Sequence, residues 1–348
     1  MNDQRIHKSL GGERPLVTFA LFAYNQEKYI REALDGVFAQ TYSPLEIILS
    51  DDCSADGTYE VMADMVHKYR GAHKIILNRN DRNLGVCAHV NKVFDLARGQ
   101  LIVVAAGDDV SFPNRTRRVV DVWKKTGASA IYCESNLIDD NGEITGYWKL
   151  PEGKAAPRRL NCVDRTVSVG FYGAGAAYDK NIFIRFGMLP VGPRNEDYNL
   201  SMRAALVGGV SYINEPLINY RSHGGNLSFW VRLKKARGAV EKMGVMAQNL
   251  DNLSANQACA VGYIDEVCGN DSPLSKRFRD SMLSTRIRSG VLYAITGLRR
   301  EGIFTGLSMS RPKLVLKVFT ESLALLHMLI REMTAKALKY LLLRLRRP

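Results

Sequence analysis

No stretch of this 348-residue chain reaches the roughly 18 uncharged apolar residues that a membrane-spanning helix needs. The segment Met1 to Pro15 is polar and lacks the apolar core of a secretory signal, so cytoplasmic residence is expected. The six cysteines (Cys53, Cys87, Cys133, Cys162, Cys259 and Cys268) form no C-x-x-C pair and no zinc-type spacing, and are expected to be reduced thiols. There is no Walker glycine loop and no Gly-x-Gly-x-x-Gly fingerprint, which argues against the common nucleotide-binding loops. Internal repeats and low-complexity tracts are also missing. The three tryptophans, Trp123, Trp148 and Trp230, read as packing or loop residues. What remains is an ordinary globular composition, 46% hydrophobic and 24% charged, long enough for one large domain or two ordinary ones.

The net charge of +13 is unevenly spread. Residues 271–348 hold 16 basic against 5 acidic side chains, whereas the other 270 residues carry 32 against 30. A nucleic-acid binder would spread its basicity more widely, so the excess belongs to one C-terminal segment. Within it, Lys313 to Arg347 places most of its cations on one side of a helical projection, with Phe319, Leu323, Leu326, Ile330 and Leu341 on the other. Such a basic amphipathic helix either lies on an anionic membrane surface or packs on protein.

Apolar runs suited to buried strands alternate with helical periodicity through the first third of the chain. Leu16–Ala23, Leu45–Leu49, Lys74–Leu77 and Leu101–Ala106 read as strands. Helices are expected from Ile30 to Phe38, Thr58 to Tyr69, Val86 to Ala97 and Asn114 to Lys125. That alternation predicts an α/β fold with a mostly parallel central sheet and flanking helices, whose ligands bind beyond the carboxyl ends of the strands. A hairpin is expected next, from Ala130 to Trp148 with a turn at Asp140-Asn141-Gly142. Lys149 to Arg159 reads as a mobile loop, and beyond Ser228 the pattern becomes mostly helical. The expected organisation is a tail (1–15), an α/β domain (16–228) and a helical C-terminal region (229–348), with the boundary near Phe229.

Acid pairs follow two of these strands. Asp51-Asp52 precedes a turn in which Asp56 caps the next helix; the pair either serves the turn or reads N–H and O–H groups of a ligand. Gly107-Asp108-Asp109 follows the fourth strand, where two adjacent acids repel each other and call for a cation or a donor-rich ligand. Oxygen ligands of that kind suit Mg²⁺ or Mn²⁺ bridging to a diphosphate. A third pair, Glu196-Asp197, opens an apolar-periodic helix, a position that the helix dipole alone would favour.

In combination these blocks resemble the family 2 glycosyltransferases, which have the nucleotide-diphospho-sugar transferase (GT-A) fold. The resemblance runs from Leu16 to Ser228, about 60% of the chain. It rests on Ala23-Tyr24-Asn25 with Glu27 and Tyr29-Ile30, on Ala39-Gln40-Thr41-Tyr42, and on Asp51-Asp52-Cys53-Ser54-Ala55-Asp56-Gly57-Thr58. Asn83-Leu84-Gly85, Gly107-Asp108-Asp109, Glu196-Asp197 with Leu200, and Tyr220-Arg221-Ser222-His223 with Asn226 and Ser228 complete it. Two departures stand out. Ala106 or Gly107 occupies the place of the family's usual first acid of the metal motif, and Phe22 stands where Pro or Thr is commoner.

The resemblance implies an inverting, metal-dependent enzyme moving a sugar from a nucleotide-diphosphate donor to a glycan or lipid-linked acceptor, in bacterial surface polysaccharide or lipid-linked glycan synthesis. It implies that Asp52 binds the nucleobase, Asp108 the ribose and Asp109 the divalent metal, and that Asp197, beside Glu196, is the catalytic base. Ala23, Tyr24, Asn25, Glu27, Asn83 and Gly85 would line the donor. His223 is a candidate contact to metal or diphosphate, and Arg221 would pair with a phosphate or with Glu215. A basic C-terminal helix would fit peripheral attachment to the inner face of the cell membrane. Rival readings are a nucleotidyl or phosphoryl transferase using the same acids, and a nucleic-acid-binding protein using the basic end.

Overall fold

The computed structural model describes residues 14–149, 173–192, 195–226, 233 and 235–296. The expected N-terminal tail up to residue 13, most of the loop after Lys149, Cys162, Ser228 and Phe229 at the expected boundary, Trp230 and the basic amphipathic segment from Lys313 lie outside the described residues.

Strands β1 (Val17–Ala23), β2 (Leu45–Asp51), β3 (Lys74–Arg79) and β4 (Leu101–Ala106) alternate with helices α1 (Ile30–Phe38), α2 (Thr58–Lys68) and α3 (Val86–Leu96). They pair in parallel in the order β3-β2-β1-β4. β1 and β2 are buried almost throughout, which explains their continuous apolar runs. After the short β5 (Val110–Ser111) and helix α4 (Arg115–Thr126), β6 (Ala130–Ile138) and β7 (Ile144–Trp148) form the expected hairpin. Asp139 Oδ1 accepts the backbone N–H groups of Asn141 and Glu143 at its tip, and Gly142 takes φ 87°.

A 3₁₀ turn (Gly173–Gly175), β8 (Ala176–Asp179), α5 (Asn181–Phe186), α6 (Glu196–Val207) and β9 (Val210–Arg221) complete the sheet. Its order is β3-β2-β1-β4-β8-β6-β9-β5, with β7 on β6. β8 runs antiparallel between β4 and β6, and β9 runs parallel to β6. The core lies where Phe19, Leu21, Ile47, Leu49 and Val103 meet Ile30, Leu34 and Val37 of α1 and Trp123 of α4, each of them buried. Fully burying each large apolar side chain contributes about 1.5–3 kcal/mol, so this face anchors the strand ends that carry the acids.

Two long helices follow, α7 (Gly238–Cys268) and α8 (Pro273–Thr296). The chain divides into two compact units. The first combines the residues up to Asn226 with Cys259–Arg277, and here Tyr263 donates to Asn199 Oδ1 of α6. Arg203 of α6 donates to the carbonyls of Gly187 and Met188 and lies over the rings of Phe183, Phe186 and Tyr263. In the second unit the N-terminal part of α7 meets the C-terminal part of α8 through polar contacts, Ser289 to Asp251, Gln257 to Ser281 and Arg286 to Ser254. No helix among the described residues is long and apolar enough to cross a membrane. Cys53, Cys87, Cys133 and Cys259 are reduced thiols, but Cys268 is disulfide-bonded, which corrects the expectation that all six are reduced.

Candidate active site

The carboxyl ends of β2 and β4 flank that of β1. Asp52 N–H donates to Ala23 O, and Gly107 N–H donates to Phe22 O, so two of the acid pairs emerge on either side of one strand. The loops after β1 and β2 are laced together. Asn25 N–H donates to Ser54 Oγ, Ala55 N–H to Asn25 Oδ1, Gln26 N–H to Thr58 Oγ1, and Gly57 N–H to Glu27 Oε2. Asn25 and Cys53 adopt positive φ, 52° and 63°, which is uncommon outside glycine and marks both loops as held in shape by these contacts. Tyr24 is exposed beside them, whereas Ala23 is buried as the last residue of β1. Asp56 accepts from Thr58 N–H, but Gly57 is the N-cap of α2 and Asp56 stands one residue before it, which corrects its expected capping role.

The members of each acid pair have different surroundings. Asp51 is fully buried, accepts Ser54 N–H and Ser54 Oγ–H, and faces Arg79 Nε at 3.6 Å; it serves the turn. Asp52 accepts from Asn80 Nδ2 (2.8 Å) and from the backbone N–H groups of Leu84 (2.9 Å) and Gly85 (3.0 Å), tying down the entry to α3. Asn83 Oδ1 also accepts Gly85 N–H, so Asn83 and Gly85 shape that loop.

Asp108 and Asp109 are joined to the far end of β9. Asp109 Oδ1 accepts Arg221 N–H at 2.8 Å, while its buried Oδ2 has no hydrogen-bond partner. Burial first, and then the charge of Asp108, raise the Asp109 carboxyl well above the usual carboxylate range. An orphaned, buried carboxylate oxygen next to a second acid fits a hard divalent cation of the Mg²⁺ or Mn²⁺ kind. Among the described residues no group of three or more His, Cys, Asp or Glu side chains forms a closed metal cage. An ion held here would therefore take most of its ligands from phosphate and water, which is common for Mg²⁺.

Asp108 Oδ2 accepts from His223 Nε2 at 2.9 Å, and His223 Nδ1 accepts Gly225 N–H, which fixes the imidazole proton on Nε2 in the neutral ring. His223 also packs on Tyr29, 4.7 Å between ring centroids. The pairing of Arg221 with Glu215 does not occur: Glu215 bonds Arg118 at 2.6 Å, and the fully buried Arg221 donates to Glu32 at 2.7 Å. The other guanidinium nitrogens of Arg221 donate to the carbonyls of Asp108, Asp139 and Asp140, over the ring of Tyr29. Arg221 thus braces the acidic loop against α1 and the hairpin tip. Gly107 explains one departure from the family pattern, because a Cβ there would stand 2.5 Å from Gln26 Oε1 and 2.8 Å from Ile30 Cδ1.

The third pair begins α6. A Cβ on Gly173 would lie 3.2 Å from Glu196 Oε1 and 3.4 Å from Asp197 Cβ, so the 3₁₀ turn packs against both acids. Arg115 links that turn to β4, donating to the carbonyls of Val104, Ala174 and Ala176. Burial, and then Asp197, push Glu196 up to about 8, and burial pushes Asp197 up to about 6. Ser201 Oγ donates to Asp197 O and accepts from Tyr132, whose hydroxyl in turn meets that of Tyr178. Sequence reasoning missed this buried hydroxyl chain, and also Asn80 beneath Asp52. Strand periodicity was the available signal for Asn80, since Asn78 and Asn80 share the face of Ser50 and Asp52.

Acids at the ends of the two parallel strands that flank β1, a partnerless carboxylate oxygen and a further acid pair on a helix N-terminus define an α/β domain built to hold an anionic, donor-rich ligand at a topological switch point. Residues 18–187 match the family model of Glycosyl transferase family 2. The chain is 42% identical over 209 residues to the uncharacterized protein Rv1520 of Mycobacterium tuberculosis, covering 58% of this chain and 57% of that one. It is 24% identical over 209 residues to the uncharacterized glycosyltransferase alr2836 of a Nostoc species, covering 58% and 63%. Among solved structures it is similar to the mannosyltransferase PcManGT from Pyrobaculum calidifontis in complex with GDP-Man and Mn²⁺, with a TM-score of 0.51 at 16% identity over 89% of this chain and 88% of that one. Residues 18–187 are thus similar to the family 2 glycosyltransferases, and the fold is of the GT-A type. It spans 57 to 63% of the length of the two curated relatives.

Proposed function

We propose that the domain transfers a sugar from a nucleotide-diphosphate donor to an acceptor hydroxyl, with inversion at the anomeric carbon and with a divalent cation, Mg²⁺ or Mn²⁺, held by Asp109. The observation that carries this reading is the buried Asp109 Oδ2 without a hydrogen-bond partner, beside Asp108 at the end of β4. A bound nucleotide sugar and Mn²⁺ in the neighbour PcManGT agree with it. When bound, the cation would offset the charge that develops on the departing diphosphate.

The chain's own residues account for the other roles. Asp52 would accept an N–H of the nucleobase through the one lone pair its three donors leave open, on Oδ2, and Asp108 a ribose hydroxyl. Tyr24, Asn25 and Glu27 would line the donor on the β1 side, with His223 near the diphosphate. Asp197, ionised near neutral pH, would remove the acceptor proton, while the protonated Glu196 beside it adds no second negative charge. A single displacement then inverts the anomeric centre.

The acceptor proposed is a glycan or lipid-linked hydroxyl in bacterial cell-surface synthesis. The basic C-terminal segment would give a peripheral position on the inner face of the membrane. The test is transfer from a panel of nucleotide sugars, with the product's anomeric configuration read by NMR. Opposite configurations in donor and product are expected; a retained configuration would reject the single displacement.

A further inference from the structure

Beneath the Asp52 carboxylate runs a chain of polar side chains, buried except for the half-buried Asn78, that the reaction itself does not use. Ser50 and Asn78 are direct partners in the parallel β2–β3 ladder, and Asp52 and Asn80 lie two residues further along the same face. Asn78 Nδ2 donates both to Ser50 Oγ (2.9 Å) and to Asn80 Oδ1 (3.1 Å), and Asn80 Nδ2 donates to Asp52 Oδ1 (2.8 Å). At the other end, Ser50 Oγ lies 2.7 Å from His89 Nε2 of α3. Ser50, His89 and Asn80 are 0, 4 and 7% exposed. Burial lowers the His89 imidazole below its ordinary value, against the opposing charges of Asp52 and Asp51, so the ring is neutral at pH 7. Ser50 Oγ accepts from Asn78, and the direction of its bond with His89 Nε2 follows the imidazole tautomer.

The links from Ser50 through Asn78 and Asn80 to Asp52 have one workable direction. Reversing the Asn80 amide would set its oxygen against the Asp52 carboxylate and its NH₂ against that of Asn78. Buried polar groups cost stability unless bonded, and an apolar rung at this position would hold β2 and β3 together equally well. What the polar chain adds is orientation, and it ends on one residue of the site.

We propose that Asn80, fixed by Asn78, Ser50 and His89, is the positioning residue that sets nucleotide selectivity by holding the Asp52 carboxylate at one angle to the crevice. The inference rests on the reading of Asp52 as the group that meets the nucleobase. Without Asn80, Asp52 keeps the two backbone donors of Leu84 and Gly85 but rotates about them, and the base edge is read less sharply.

The test is calorimetric binding of UDP, GDP, CDP, ADP and inorganic pyrophosphate to the full chain with Mn²⁺, for the wild type, Asn80→Ala and Asp52→Asn. For Asn80→Ala we expect the tightest-binding nucleotide to lose about tenfold, the weight of one well-aligned hydrogen bond. The ranking among the four bases should flatten, with pyrophosphate, which has no base, unchanged. An unaltered ranking, or an equal loss for pyrophosphate, would overturn the inference by reducing Asn80 to a support for the fold. If Asp52→Asn leaves the ranking intact, the reading of Asp52 itself falls. If Asp52→Asn flattens it and Asn80→Ala does not, only the role of Asn80 falls. Should Asn80→Ala fail to fold, Asn80→Ser, too short to reach both Asp52 and Asn78, is judged by the same outcomes.

Discussion

Glu196 and Asp197 are neighbours on the first turn of α6, yet their surroundings separate their protonation, with values raised to about 8 and about 6. A base works only when ionised, so transfer should decline as pH falls through about 6. Asp197→Asn should retain donor binding and lose turnover by about 10²–10⁴-fold. Full turnover in that variant would remove Asp197 from the chemistry. For Glu196 the folded-state value lies above its ordinary 4.5, so between 4.5 and about 8 the folded chain binds the extra proton. Its contribution is therefore fully present below 4.5 and is lost as pH rises through about 8. Glu196→Gln should raise the Tm relative to wild type more at pH 8.5 than at pH 5, and an equal shift at both would contradict the assignment. The acid pairs were legible in the sequence because each ends an apolar run or opens a periodic helix. Their partners were not. Arg221 meets Glu32 across 189 positions, and Asn80 meets Asp52 across 28, and no local pattern signals such pairings.

At the scale of elements, β1 to β4 and α1 to α4 were legible because buried parallel strands and amphipathic helices differ in period. β8 was not. Its four residues, Ala-Ala-Tyr-Asp, have no β-branched side chain, and it becomes a strand because β4 and β6 pair with it from both sides. β5 is only two residues long and depends on β9 for pairing. Arg115 of α4 helps to hold this region. It is 1% exposed and donates to the carbonyls of Val104, Ala174 and Ala176 and to Ser111 Oγ. Arg115→Met would leave several of these acceptors buried and unmet, and a loss of about 3 kcal/mol or more in urea unfolding is expected. Since the 3₁₀ turn it holds packs on Glu196, the acidic limb of the pH profile should shift as well. A loss below about 1 kcal/mol would show that these bonds carry little.

Over the whole molecule, charge and chemistry are segregated. The acid pairs lie within residues 51–197, whereas residues 271–348 carry a surplus of 11 positive charges. If the basic segment attaches the enzyme to an anionic membrane, the full chain should float with liposomes containing anionic lipid, and a chain truncated at Arg311 should not. Equal flotation would separate the segment from membrane attachment. The central claim concerns Asp109, and titration calorimetry of a nucleoside diphosphate with and without Mn²⁺ tests it most directly. Wild type should bind at least about tenfold more tightly with the ion, and Asp109→Ala should lose that gain while keeping its metal-free affinity. An undiminished Mn²⁺ effect in Asp109→Ala would contradict the account.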